Sequence, residues 1–308
     1  MFIHIACCID NNFVMQYSVL MVSLRHSNPN QAFHIHLLGN NLNEESKKTI
    51  RDFSQILHLP ITIYDVNILN FSSRFPCMNG YISLATYLRC FVTEFLPEGL
   101  EKIIYLDCDM IVMGELSSLW DISVVDNSVL AVEDMWALHN DNPKRLGYDS
   151  SYSYFNAGML VINLNYWRNE NVTQKTLDYL VNYPDRLDYH DQDILNSLFY
   201  STRKFICPKY NMQDGFYRRR RRYMPKELAA EAEEWLWKPV VLHYTGGAKP
   251  WHYKSYHPLK MEFYKYLDLT PFKGWRPDKK LMEVLEVNIN KLLWALHIVK
   301  DKYRRPHN

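Results

Sequence analysis

The first third of this sequence alternates short apolar runs with segments of helical spacing, and this alternation constrains the fold more than any other feature. Strands alternating with helices predict an α/β fold with a mostly parallel, doubly wound, Rossmann-like sheet. In such sheets, ligands bind beyond the carboxyl ends of the strands. The predicted strands are 2–9, 32–38, 61–66 and 102–106, and the predicted helices are 14–26, 44–57 and 83–95.

The later part of the chain is less regular. It contains strand-like runs at 129–133, 158–163 and 240–244, and a helical pattern at 191–200. A chain of 308 residues can form one large or two modest domains. We expect a catalytic domain over residues 1–257 and a separate basic, helical segment over residues 258–308.

Composition narrows the classes of protein. Hydrophobic residues make up 47% and charged residues 22%, and the net charge is +1, so any anion-binding function depends on local patches. None of the six cysteines forms a CxxC pair, which argues against zinc and for reduced cysteines in a cytosolic protein. The N-terminal run has the pattern of a strand rather than a signal peptide, and no window reaches the ~18 apolar residues of a membrane span.

Two carboxylates follow the fourth predicted strand. Asp107 and Asp109 stand two residues apart, so in extended backbone both point to one face. Two carboxylates on one face repel unless a cation neutralises them, and hard divalent ions bind such oxygens together with phosphate. The alternative is a solvated turn with acids placed by chance.

A glycine-rich loop follows the last predicted strand. His243 at the strand end offers a nitrogen ligand, while Gly246 and Gly247 let backbone N–H groups approach an anion. Lys249 adds a cation suited to phosphate. The alternative is a loop beside a core histidine. Together with the two aspartates, these groups are suited to hold a metal-chelated diphosphate.

Two further motifs place polar groups beside apolar runs, at 154–158 and 188–193. Asp191 has a purely structural alternative as the N-cap of the following helix. Asp193 also has a purely structural alternative, as an interior residue of that helix.

Six motifs, in order, resemble those of glycosyltransferase family 8, and the resemblance extends over about residues 2–257. It is closest to the bacterial lipopolysaccharide galactosyl- and glucosyltransferases, with glycogenin as a more distant relative. The motifs are ACCIDNNF, ISLATYLR, IIYLDCDMIV, YFNAGMLVINL, DYHDQDILN and LHYTGGAKPWH.

This resemblance implies a GT-A fold and a hexosyltransferase that uses a UDP-sugar donor, Mn²⁺ or Mg²⁺, and retention of anomeric configuration. It implies metal ligation by Asp107, Asp109 and His243, and places Asp191 and Gln192 at the reacting carbon. The residues it implies for donor binding are Cys8, Asp10, Asn12, Phe13, Arg89, Asp107, Cys108, Asp134, Asn156, Ala157, Gly247 and Lys249.

Retention leaves two mechanisms open. Double displacement needs a nucleophile under the anomeric carbon, and Asp191 is the strong candidate because Gln192 is a poor nucleophile. We favour front-face attack by the acceptor hydroxyl, with the leaving phosphate as base. Phe13 stands where relatives often have tyrosine, so it can stack on a base but has no hydroxyl.

Two basic features suggest anionic partners. Arg218 to Arg222 form a run of five arginines, which is either a solvated loop or a contact for an anionic acceptor or lipid phosphates. The tail has apolar residues at helical spacing, Trp294 and many basic residues, which is typical of a helix on an anionic membrane. The alternatives are packing on the catalytic domain and a dimer contact. We expect no nucleic-acid partner, because no nucleic-acid module accompanies the run.

The expected acceptor is a saccharide or a lipid-linked glycan such as lipopolysaccharide. The expected location is the cytoplasm, with peripheral attachment to the inner face of the cytoplasmic membrane. Two alternatives remain: a glycogenin-like primer protein that glucosylates its own tyrosine, and an inactive UDP-sugar-binding protein.

Overall fold

A seven-stranded sheet in the order β3-β2-β1-β4-β7-β6-β8 forms the centre of the molecule. The computed structural model describes residues 2–66, 84–139, 141–247 and 249–306. The strands of this sheet are β1 (Ile3–Ile9), β2 (Phe33–Asn40), β3 (Ile61–Val66), β4 (Lys102–Leu106), β6 (Val129–Glu133), β7 (Phe155–Asn163) and β8 (Arg203–Phe205).

The predicted parallel sheet is confirmed. Strands β3, β2, β1 and β4 all run parallel, and β1 lies between β2 and β4. Their carboxyl ends therefore meet along one edge, where Asp10 follows β1 and Asp107 follows β4.

Strand β7 is the antiparallel member of this sheet. It pairs antiparallel with both β4 and β6, while β6 and β8 are parallel. Every residue of β7 is buried, because the strand is central and both faces are covered. It begins at Phe155, three residues before the predicted start.

Helices cover both faces of the sheet, as a doubly wound fold requires. The helices are α1 (Val14–Ser27), α2 (Glu44–Ile56), α3 (Ser117–Trp120), α4 (Asn142–Leu146), α5 (Leu164–Asn169), α6 (Val172–Asn182), α7 (His190–Phe199), α8 (Lys226–Glu233), α9 (Lys260–Leu267) and α10 (Leu281–Ala295). Helices α1 and α2 pack on one face. A long 3-10 helix (Leu84–Glu94) packs on the other with α6 and α7.

Two details of the predicted helices can be compared with the structure. The Asn43 side chain caps α2 by accepting from the Ser46 N–H, as expected. The helix expected at 83–95 is a 3-10 helix over Leu84–Glu94, and its expected first residue, Ser83, lies outside the described residues. Five cysteines of the described residues are free, and Cys77 lies outside the described part.

A second, three-stranded sheet sits beyond the end of β4. Strand β5 (Met110–Val112) follows β4 after a three-residue connection and pairs antiparallel with β10 (Val241–His243). Strand β9 (Met212–Gln213) pairs with the other side of β10.

The chain after β10 lies against the rest of the molecule. Helix α9 packs on α1 and contributes Phe263 and Leu267 to a buried cluster. Helix α10 contacts the body through Trp294, whose ring meets that of Tyr256 edge to face at 4.9 Å. Among the described residues, no helix is long and apolar enough to span a bilayer.

Candidate active site

The two sheets bring Asp107, Asp109 and His243 to one point. Asp107 follows β4, and its N–H donates to the carbonyl of Gly158 at 2.9 Å. Asp109 precedes β5, whose Met110 is paired with His243 at the end of β10. One ligand atom from each of the three side chains lies within 4.8 Å of the others.

A chain of amide hydrogen bonds fixes the ring of His243. Asp134 accepts from Asn156 Nδ2 at 2.9 Å, so Asn156 Oδ1 is free to accept from Asn211 Nδ2 at 2.9 Å. Asn211 Oδ1 then faces His243 Nδ1 at 2.9 Å and accepts its proton. In the neutral ring, Nε2 is therefore the nitrogen with the free lone pair.

That lone pair points at a carboxylate. His243 Nε2 lies 3.2 Å from Asp109 Oδ1, a buried oxygen for which the described residues supply no hydrogen-bond donor. Two acceptors facing each other at this distance create a place for a cation.

Lys249 supplies a positive charge beside this place. Its Nζ lies 2.5 Å from Asp109 Oδ2 and 2.7 Å from the Tyr244 carbonyl. Burial alone would raise the pKa of Asp109, but the charge of Lys249 outweighs it, with a further contribution from His243 when its ring is protonated, and holds that pKa well below its usual range. Asp109 is therefore ionised at any ordinary pH.

The donor set and its spacing fit a divalent ion. Ligand atoms about 2.0–2.6 Å from one ion lie about 3–5 Å from each other, and the three side chains meet that spacing. His243 also has the outer hydrogen bond that metal-ligating histidines usually make, here to Asn211.

Gly158 leaves room for this cluster. A Cβ atom built on Gly158 would lie 2.3 Å from His243 Cε1 and 3.0 Å from Asp107 Oδ2. A Cβ atom cannot stand 2.3 Å from His243 Cε1, so only glycine at this position of β7 lets the histidine and the carboxylate approach the strand.

Arg89 joins two acids on the other side of the cleft. Its guanidinium lies 2.9 Å from Asp107 Oδ1 and 2.5 Å from Asp191 Oδ2, and it donates to the Ala157 carbonyl at 2.7 Å. Burial raises the pKa of Asp191 to about 6, with Arg89 opposing the rise. Asp191 lies in the first turn of α7 and makes no N-cap hydrogen bond, so the capping alternative does not apply.

Gln192 uses both ends of its amide within the protein. Its Oε1 accepts from the Ala157 N–H at 2.9 Å, and its Nε2 donates to Asp134 Oδ2 at 3.2 Å. Burial raises the pKa of Asp134. Asp193 holds Arg145 and Tyr154, the structural role considered for it.

A cleft of about 680 Å³ lies over these groups, a size typical of small-molecule sites. It is also lined by Trp136, Tyr189 and His190. Ten residues singled out from the sequence line it: Arg89, Asp107, Asp109, Asp134, Asn156, Asp191, Gln192, His243, Gly246 and Lys249.

The other residues singled out lie around this cleft rather than on its walls. The Cys8 thiol is hydrogen-bonded to Tyr105, whose hydroxyl donates to Asp107 Oδ1 at 2.9 Å. The Cys108 side chain faces the core, and Gly247 stands in open space.

At the end of β1, Asp10 accepts from the Asn12 N–H at 2.8 Å, and Phe13 is exposed. These side chains lie outside the walls of the cleft.

Sequence reasoning missed Asn211, Gly158, Tyr105 and Trp136. Asn211 sits in an irregular stretch, and only the hydrogen bond to His243 shows its importance. Gly158 lies within one of the six motifs, but only the folded structure shows that a side chain at this position would overlap His243.

Comparison with known proteins agrees with this geometry. The sequence model described as "Glycosyl transferase family 8" matches residues 4–255, which span most of the chain and the whole candidate site. The chain belongs to glycosyltransferase family 8. The resemblance noted from the six motifs is thereby confirmed.

Similar proteins include enzymes of lipopolysaccharide synthesis. The chain is 27% identical to general stress protein A of Bacillus subtilis, covering 87% of this chain and 93% of that protein. It is 25% identical to lipopolysaccharide 1,3-galactosyltransferase of Salmonella typhimurium, and the match covers 87% of this chain and 79% of that protein. The crystal structure of galactosyltransferase LgtC with donor and acceptor sugar analogs superposes with a TM-score of 0.77 at 27% identity. The superposition covers 87% of this chain and 96% of that chain. The family 8 chain therefore has the GT-A-like fold expected of it.

Proposed function

We propose that this family 8 protein moves a hexose, galactose or glucose, from a UDP-sugar to a saccharide or lipid-linked glycan, with retention of configuration. The observation that carries the proposal is the cluster of Asp107, Asp109 and His243 with Lys249 beside it, in a cleft of small-molecule size. A site with two carboxylates, one imidazole and one ammonium group suits a metal-chelated diphosphate.

The donor lies across the carboxyl edge of the sheet in this proposal. Cys8, Asp10, Asn12 and Phe13 stand at or near the end of β1 and hold the uridine, with Phe13 stacking on the base. Gly247 and Lys249 hold the diphosphate, and the Cys108 backbone borders it. The sugar lies towards Arg89, Asp134, Asn156 and Ala157.

The cation of the site is held by Asp107, Asp109 and His243. Mn²⁺ suits this set better than Mg²⁺, because an imidazole nitrogen favours transition ions. When bound, a divalent ion offsets the negative charge that grows on the departing diphosphate. Lys249 contributes to the same stabilisation from its position beside Asp109.

Two contacts support front-face attack by the acceptor hydroxyl. Gln192 has its amide oxygen occupied by the Ala157 N–H, so it is not available as a nucleophile. Asp191 is paired with Arg89, which lowers its reactivity towards carbon. In this mechanism, a diphosphate oxygen takes the acceptor proton, and Asp134 and Gln192 orient the sugar.

We also propose that the tail docks on an anionic membrane surface, and the exposed face of α10 is the reason. Helix α10 contacts the body through Val287, Asn290 and Trp294. Its other side leaves large apolar side chains exposed beside basic residues, as in helices that lie in the interface of a bilayer. The exposed residues include Leu281, Met282, Leu285, Ile289, Leu292 and Leu296.

The first experiment is UDP release from a panel of UDP-glucose, UDP-galactose and their N-acetyl forms, with Mn²⁺ or EDTA. We expect slow release from one donor, lost with EDTA and with Asp109→Asn. Asp126→Asn, an exposed acid, is the matched control and should keep the activity. Intact-mass measurement of the same samples shows whether hexose is transferred to the protein, as in a self-glucosylating primer. Absence of both UDP release and metal-dependent UDP binding would contradict the proposal.

A further inference from the structure

A second cavity adjoins the candidate active site. Its volume is about 710 Å³, and it shares Met135 and Trp136 with the donor cleft. These two residues directly follow Asp134, which bonds to Gln192. The second cavity therefore opens beside the place where an acceptor would meet the donor sugar.

The tail builds one wall of this cavity, and the arginine run builds the other. Arg218 and Tyr303 form an antiparallel bridge, and the Arg219 N–H donates to the Lys302 carbonyl at 3.0 Å. Tyr303 is buried, and its hydroxyl donates to Asp214 at 2.6 Å. The end of the chain is thus fixed against the arginine loop.

Two of the five arginines are neutralised within the protein. Arg218 lies 2.7 Å from Asp214, and Arg221 lies 2.6 Å from Glu233. Asp301, an acid of the cavity wall, is paired with Arg305 at 2.8 Å. These pairs hold the loop in place.

Five cations of the cavity have no such partner: within the described residues, no carboxylate lies in ion-pair distance of Arg219, Arg220, Arg222, Lys300 or Lys302. A net charge of only +1 for the whole chain shows that this concentration is local. Guanidinium groups bind phosphate through paired hydrogen bonds, which makes arginine the usual residue for that ligand.

We propose that this cavity binds a phosphate group carried by the acceptor saccharide. The inference rests on the proposed transferase function and adds a substrate class to it, a phosphorylated glycan. The cavity is concave and shares two wall residues with the donor cleft, whereas the exposed apolar face that suits a lipid surface belongs to α10. Trp136, in the shared wall, offers an aromatic ring on which a sugar can pack.

The test measures binding of glucose 6-phosphate and of glucose by calorimetry at 0.15 M salt, with UDP and Mn²⁺ present to fill the donor cleft. Arg219→Gln, Arg220→Gln and Arg222→Gln are combined in one variant. Arg51→Gln, Lys144→Gln and Lys204→Gln remove equal charge from exposed positions elsewhere. We expect the first variant to weaken glucose 6-phosphate binding at least about tenfold, and the control to change it by less than about twofold.

Measurements of the donor function and of vesicle binding separate the possible outcomes. UDP binding and UDP release should be the same in wild type and the arginine variant, so failure of the donor function appears separately. Equal loss of glucose 6-phosphate binding in the two triple variants would overturn the proposal. So would intact glucose 6-phosphate binding with lost binding to phosphatidylglycerol vesicles, since the cations would then serve a lipid headgroup.

Discussion

His243 Nδ1 lies 2.9 Å from Asn211 Oδ1, and both residues are buried. Replacing Asn211 with alanine removes the group that fixes the ring and its tautomer. We expect Mn²⁺ affinity to fall about 10–100-fold, the usual effect of losing such an outer partner. Calorimetric titration with Mn²⁺ measures it.

Asn163→Ala is the control for this prediction. Asn163 is also buried and hydrogen-bonded, but it lies at the far end of β7. It should lose stability without losing Mn²⁺ affinity. If both variants weaken Mn²⁺ binding alike, Asn211 acts only through folding.

Lys249 and a bound metal compete for Asp109, because both are cations and Lys249 Nζ already lies 2.5 Å from the carboxylate. Lys249→Met should therefore raise Mn²⁺ affinity in the absence of UDP, by roughly tenfold if the pair is worth about 1.4 kcal/mol. The same variant should slow UDP release. Lys249→Arg keeps the charge and should leave Mn²⁺ affinity near that of wild type; unchanged affinity in Lys249→Met would refute the competition.

Gly158→Ala should disturb the metal cluster directly, since its Cβ would overlap His243. We expect about 1–3 kcal/mol of lost stability from overpacking and a large loss of Mn²⁺ affinity, measured by urea unfolding and titration. Gly99→Ala meets no heavy atom within 4 Å and is the control. Normal Mn²⁺ binding by Gly158→Ala would show that the cluster has more room than its geometry indicates.

Three stacked histidines at the opposite end of the strands should make stability depend on pH. Burial, with His34 and His4 nearby, lowers the pKa of His36 to about 3. The unfolded chain takes up this proton near pH 6.5, whereas the folded protein resists it. The free energy of unfolding should therefore fall as the pH drops below 6.5, by at most about 1.4 kcal/mol per pH unit for this group.

Urea unfolding between pH 5 and 7.5 tests this dependence. His36→Gln should flatten the dependence even if it lowers stability at pH 7.5. His297→Gln, at an exposed position in the tail, should leave the slope as in wild type. An unchanged slope in His36→Gln would assign the effect to other groups.

Helix α10 should bind vesicles through its apolar face. Ile289→Glu with Leu292→Glu should reduce binding to phosphatidylcholine–phosphatidylglycerol vesicles at least about tenfold, because two exposed apolar side chains no longer enter the interface. Val125→Glu with Val181→Glu makes the same change on exposed positions of the body. Equal binding by both pairs in a sedimentation assay would exclude this face as the contact.

The parallel half of the sheet was predictable because its strands are continuous apolar runs. Asp107, Asp109 and His243 could likewise be predicted as site residues, since each lies at or just after the end of an apolar run. Strands β5 and β9 were not predicted, because their three and two residues give no pattern of their own. The 3-10 geometry of Leu84–Glu94 was not predictable, because apolar spacing does not distinguish it from an α-helix.

Contacts between distant segments were beyond sequence reasoning. Asn211 and His243 meet because β9 and β10 pair, and neither residue's neighbours reveal that pairing. The bridge between Tyr303 and Arg218 is another example, since nothing in the pattern of either segment indicates that they pair. Such contacts depend on packing rather than on local pattern.

Two of the candidate metal ligands, Asp107 and Asp109, lie in the connection between β4 and β5, and His243 lies at the end of β10, so the spacing of all three exists only in the folded chain. An ion that binds the folded form alone adds its binding free energy to that of folding. If this ion is the manganese of the proposed function, its supply would govern how long the protein survives as well as how fast it works. Removal of the ion should then make the folded protein itself more susceptible to proteolysis, beyond any loss of turnover.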